Sequence, residues 1–168
     1  MEERIKKIQE QIAFNFQKVK DWREHLHANP ELSYQEFDTM DFVAEQLAII
    51  GVPFEKGIAN TGVVALIRGK QHGSDMPCIG LRADLDALPI EEANEVPYKS
   101  KNSGLMHACG HDVHTAILLG AAEILFELRD EIPNPVKLIF QPGEEKNPGG
   151  GGSWIDSHRC LAISGGDD

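Results

Sequence analysis

The order of hydrophobic patterns along the chain restricts its fold more than any other feature. Residues 3–28 repeat apolar side chains every three or four positions, at Ile5, Ile8, Ile12, Phe16, Val19, Trp22 and Leu26. That spacing predicts one long amphipathic helix, stopped by Asn29-Pro30. A second helix is expected to start at Ser33, with Glu36 as its capping-box partner. It would turn Phe37, Met40, Val43, Leu47 and Ile50 inward and end at Gly51. Short apolar runs follow at 52–55, 62–68 and 78–83, the length and composition of strands. A helix over 113–128 and a strand over 136–140 complete the pattern. Helices and strands alternate, so the expected fold class is α/β, with a mixed sheet covered by helices.

Between the third strand and the last helix, residues 85–104 carry Pro89, Pro97 and Asn102 and predict a long ordered loop. Structureless loops of that length inside a compact domain are uncommon and often functional. The stretch after it, His107-Ala108-Cys109-Gly110-His111-Asp112-Val113-His114-Thr115, holds three His, one Cys and one Asp in nine residues. Thiolate and imidazole together are a common set of zinc ligands. Gly110 lets the backbone bend so that Cys109 and His111 converge on one ion, and Asp112 is placed to cap the helix that follows. Taken singly, each residue has a plainer reading: Cys109 as a small buried hydrophobe, His107 and His114 as surface groups, Asp112 as a cap only. The set together favours a metal site.

Working groups in α/β sheets gather at the carboxyl ends of strands. Two acidic pairs fall there: Asp84 and Asp86 after the strand at 78–83, and Glu144 and Glu145 after the strand at 136–140 and the turn Gln141-Pro142-Gly143. Either pair alone reads equally as loop acids, because a chain with a net charge of −11 has many. That charge also argues against a nucleic-acid partner. Three cysteines without framework spacing fit a reducing compartment, and no apolar leader or membrane-length run is present, so a cytoplasmic location is expected.

Four stretches resemble one family. Residues 23–31 (REHLHANPE), 81–90 (LRADLDALPI), 107–115 (HACGHDVHT) and 139–145 (IFQPGEE) are similar, in order, to the amidohydrolase branch of the dinuclear metallopeptidases related to aminoacylase and carboxypeptidase. That branch includes N-acyl-amino-acid amidohydrolases, hippurate hydrolases and hydrolases of auxin–amino acid conjugates. The resemblance implies an aminopeptidase-like catalytic domain hydrolysing an amide bond of a small N-acyl amino acid, with no nucleic-acid or membrane partner. Relatives of this kind are often homo-oligomers. It implies Cys109, His111 and Glu145 as metal ligands, Glu144 as the general base that serves the attacking water and the leaving amine, and Asp86 as an acid that orients the site. His114 and Asp84 would contact substrate or support the site. The family's cofactor is a pair of divalent ions, Zn, Mn or Co.

The family pattern covers roughly residues 15–150, and residues 1–150 are read as the N-terminal part of the catalytic domain. The tail 151–168 departs from it, and the family's later His ligands and its lid or dimerisation domain are not recognised. His158 comes too soon to be a ligand. The expectation is a cut-down form that holds at most one ion, hydrolyses little alone, and exposes the strand at 136–140 as an unpaired edge. Two other readings stand beside it: a non-catalytic remnant that binds a metal or partner, and a thiol hydrolase built on Cys109 and a nearby His. The second leaves the Glu144-Glu145 pair without a task.

Overall fold

A computed structural model describes residues 2–73 and 76–146. The tail 151–168, with His158 and Cys160, lies outside the described residues. The element order is α1 (Glu2–Ala28), α2 (Phe37–Ile50), β1 (Phe54–Ile58), β2 (Gly62–Ile67), β3 (Ile79–Asp84), α3 (His111–Glu127) and β4 (Val136–Gln141). The four strands form one mixed sheet in the order β1-β2-β4-β3. β1 and β2 are an antiparallel hairpin, turned by Ala59 and Asn60 at positive φ. β4 pairs antiparallel with β2, Val63 opposite Phe140, and parallel with β3, Ala83 opposite Phe140.

The strand at 136–140 is therefore not an edge. It is hydrogen-bonded on both sides, and among the described residues the edges are β1 and β3. Local pattern carries no information on strand order, and the β3–α3–β4 crossover inserts β4 between two strands already made.

Alternate residues of β2 and β4 supply one face of the core: Val63, Ala65 and Ile67 with Val136, Leu138 and Phe140. Against them pack Val43 and Leu47 of α2, Ala116, Leu119 and Ala122 of α3, and Trp22 and Leu26 from the end of α1. α1 docks on α3 where Gly120 meets Val19; a Cβ at Gly120 would stand 2.8 Å from Val19 Cγ2. Only the C-terminal half of α1 reaches the core. Ile5, Ile12 and Phe16, expected inside, are half or more exposed. Phe37 is also half exposed, whereas Met40, Val43 and Leu47 of the same helix are buried.

Element ends differ from expectation for local reasons. α2 stops at Gly51, whose φ of 91° lets its N–H bond back to the Ala48 and Leu47 carbonyls. Its start is not capped by Ser33: the helix begins at Phe37, the residue before it, Glu36, makes no side-chain cap bond, and the Glu31 carboxylate accepts the Asp38 and Thr39 N–H groups instead. β1 starts only after Pro53, which lacks an N–H for the ladder, and runs past the expected 52–55 through Gly57-Ile58 over a register shift. α3 begins at His111, with Gly110 (φ 83°) before it, so Asp112 sits inside the first turn and is not the cap. Residues 85–110 form no helix or strand, which includes the loop expected at 85–104. Two isolated bridges, Leu32 to Ala87 and Leu88 to Met106, pin that segment.

Candidate metal centre

β3 and β4 run parallel, so their carboxyl ends meet at one edge of the sheet, and the first turn of α3 opens there. Asp84 ends β3, Asp86 lies two residues on, and Gln141-Pro142-Gly143 carries β4 into Glu144 and Glu145. One donor atom from each of Cys109, His111 and Glu145 lies within 4.8 Å of the others. Asp84, His111 and His114 form a second such group. Among the expected site residues, Cys109 and His114 are exposed, Glu145 is partly covered, and Asp84, Asp86 and His111 are buried.

His111 is the hinge of both groups. Its Nδ1 donates to the Asp86 main-chain carbonyl at 2.8 Å and stands 3.3 Å from Asp86 Oδ1. That contact fixes the ring and turns Nε2 toward Glu145 Oε1 at 3.8 Å, Asp84 Oδ2 at 3.9 Å and Glu144 Oε2 at 4.0 Å. These separations are beyond hydrogen-bonding reach. Three carboxylates thus gather round one imidazole nitrogen without bonding it, and the Cys109 thiol joins the same cluster, which fits a shared cation. Thiol, imidazole and carboxylate in one cluster suit zinc or a similar transition metal better than calcium.

Asp86 accepts two hydrogen bonds on one oxygen. Ser33 Oγ donates to its Oδ2 at 2.6 Å and the Glu145 N–H donates to the same oxygen at 2.9 Å. Ser33, expected as a helix cap, is used here instead. Burial alone would raise the Asp86 pKa, but the bonds from His111, Ser33 and Glu145 outweigh it and hold the carboxyl at about 2. Burial likewise opposes charge on His111, yet the Asp86 carboxylate and carbonyl and the Asp84 charge lift it to about 9. The Cys109 thiol is pushed up to about 11, chiefly by its hydrogen bond to Glu145.

Three residues have roles at the site that the sequence did not assign them. Glu36 is fully buried and accepts the Thr61 hydroxyl at 2.5 Å and the Gly143 N–H at 2.8 Å, so it holds the turn that presents Glu144 and Glu145. His27 is buried between Asp112 Oδ2, 2.7 Å from Nδ1, and Glu92 Oε1, 3.0 Å from Nε2. His107 is buried, not at the surface, with no hydrogen-bond partner on either ring nitrogen among the described residues. Burial lowers its pKa to about 4. The only signal for the first two was the set REHLHANPE and SYQE ahead of the second helix, which marks a motif but not its partners.

The fold and these side chains define an α/β domain with a candidate metal centre at the carboxyl ends of its parallel strands. The sequence profile of Peptidase family M20/M25/M40 matches residues 80–166, and the chain belongs to that family. It is 46% identical to thermostable carboxypeptidase 2 of Saccharolobus solfataricus over 84% of this chain and 37% of that protein. It is 44% identical to an N-acyl-L-amino acid amidohydrolase of Geobacillus stearothermophilus over 92% of this chain and 40% of that one. The Bacillus subtilis YXEP protein, described as a dinuclear metal binding peptidase of the M20 family, superposes with a TM-score of 0.74 at 42% identity, covering 79% of this chain and 36% of YXEP. The chain thus spans well under half the length of these relatives. Among the described residues, no helix is long and apolar enough to cross a membrane.

Proposed function

We propose that residues 1–150 carry part of the catalytic apparatus of a metal-dependent amidohydrolase acting on N-acyl amino acids or similar small conjugates. In this reading Cys109, His111 and Glu145 hold a divalent ion of the zinc, manganese or cobalt type. The supporting observation is the convergence of thiol, imidazole and carboxylate within 4.8 Å, at a histidine whose other nitrogen is already committed. When bound, ions of this type acidify a water and polarise an amide carbonyl.

The chain's own groups then divide the work. Asp86 orients His111 and fixes which nitrogen faces the site. Glu145 is tied through its backbone to Asp86, so its carboxylate serves as a ligand. Glu144 is more exposed than Glu145 and, among the described residues, has no hydrogen bond to an acid or base of its own, which leaves it free to take a proton from the attacking water and return it to the departing amine. His114 and Asp84 flank the same opening, 3.6 Å apart, where they contact or align the substrate.

The Asp84–His111–His114 group is an alternative seat for one ion and not a partner of the first. Both groups draw on His111 Nε2, since Nδ1 is bonded to Asp86, and one nitrogen lone pair serves one metal. Metal analysis of purified variants separates them. Cys109→Ser and Glu145→Gln should lose the ion, whereas Glu144→Gln should keep it. Retention in Cys109→Ser with loss in His114→Ala would move the ion to the second group.

A further inference from the structure

The strongest feature outside the donor cluster is a buried knot of charge behind it. Asp112 and Glu92 are 1% and 3% exposed, and buried carboxylates need compensating partners. His27, 3% exposed, stands between them with one ring nitrogen on each. Arg23 Nε lies 3.0 Å from the same Asp112 oxygen, and its guanidinium covers the Tyr98 ring at 4.7 Å. Both nitrogens of His27 face carboxylate oxygens, and Arg23 Nη2 also lies 3.3 Å from Nδ1.

The three residues come from three segments, and two of those segments carry donors. Asp112 is next to His111. Glu92 belongs to the segment that starts at Asp86 and has no helix or strand of its own, so tethers set its course. Glu92 Oε2 accepts the Ser100 N–H at 2.7 Å, and the Lys101 N–H donates to the Ala28 carbonyl at 2.9 Å, one residue past His27. At the other end of the segment, the Ala87 N–H donates to the Glu31 carbonyl at 2.8 Å. The end of α1 is thus the post to which both sides of the metal cluster are tied.

We propose that His27 is a positioning residue of the metal centre: its imidazole, latched between Asp112 and Glu92, sets the spacing of Asp86, Cys109 and His111. The inference rests on the metal reading above. Removing the latch leaves two buried carboxylates with too few donors, and the segments carrying the ligands drift apart. Partners behind metal ligands are typically worth about 10- to 100-fold in affinity.

The test is cobalt titration of the full chain, followed by the thiolate–cobalt absorption, with hydrogen exchange at the Ser100 and Lys101 amides. An amide side chain has one donor end and one acceptor end. In His27→Gln the donor serves Asp112, and the acceptor is forced against the Glu92 carboxylate. Glu92→Gln alone keeps a workable pattern, since its amide donates to the ring. In the double variant Gln at 92 donates to the amide at 27. His27→Gln should therefore bind cobalt at least about 10-fold more weakly and exchange faster at both amides, with its helix content unchanged. Glu92→Gln should weaken binding less than His27→Gln does. The double variant should return to within about twofold of wild type, the scatter of additive effects.

A side chain that only fills space predicts no such rescue, so a double variant no better than His27→Gln overturns the proposal. Unchanged affinity and exchange in His27→Gln overturn it as well. A wild-type chain that binds no cobalt defeats the metal reading itself, and the exchange data then report on the latch separately.

Discussion

Gly143 is where a single methyl group should do the most damage to the site. Its φ is 62°, a conformation that costs a residue with a Cβ about 1–2 kcal/mol. A Cβ there would also stand 2.6 Å from Tyr34 Cζ, 2.7 Å from Cε2 and 2.9 Å from Cε1. Tyr34 itself has a φ of 64°, and its carbonyl accepts the Asn60 side-chain amide at 2.9 Å, so its backbone is not free to retreat. Overpacking of this kind costs about 1–3 kcal/mol. Gly143→Ala should therefore destabilise the chain by about 2–5 kcal/mol in urea unfolding, the sum of the two effects. In a Tyr34→Ala background the steric part vanishes, and the same substitution should cost only the backbone part, about 1–2 kcal/mol. Equal costs in the two backgrounds would refute the Tyr34 contact, and no cost in either would refute the left-handed turn.

Other consequences follow from the same contacts. Burial raises the Glu36 pKa above its ordinary 4.5, only partly offset by the Thr61 and Gly143 bonds, so the folded chain keeps that proton longer than the unfolded one. Stability from this group is fullest below about pH 4.5 and falls as pH rises through the raised value; Glu36→Gln should remove that fall, seen as a flatter melting temperature against pH. Phe140→Ala, at a fully buried position shared by β2 and β3 contacts, should cost about 3–5 kcal/mol in the same unfolding assay. In the longer relatives' context, Glu144→Gln should abolish turnover of N-acetyl or N-benzoyl amino acids while metal content holds, and Glu145→Gln should lose metal; equal metal loss in both would undo the division of the pair.

Much of this architecture was legible from residue order because short-range physics determines it. The three-four spacing located α1 and α2, α3 was expected over 113–128, Gly51 ended α2 through its positive φ, and the run 85–104 is a loop held by bridges. The acids after β3 and β4 reached one edge because parallel neighbours share an end. What failed depended on distant partners. Ile5, Ile12 and Phe16 mark a side of α1, but periodicity does not say how far the core extends beneath it. Ser33 and Asp112 look like caps in sequence, yet Ser33 bonds Asp86 and Asp112 bonds His27 and Arg23 across the fold. The central place of β4 and the buried roles of Glu36 and His27 are likewise set by tertiary pairing, which no local window contains.

The central claim, that Cys109, His111 and Glu145 hold one divalent ion, is tested most directly by the absorption of the cobalt-loaded chain. The wild type should take up cobalt with a thiolate–cobalt charge-transfer band, and Cys109→Ser should abolish that band and weaken binding. Cobalt uptake without the band, or a band that persists in Cys109→Ser, would contradict it.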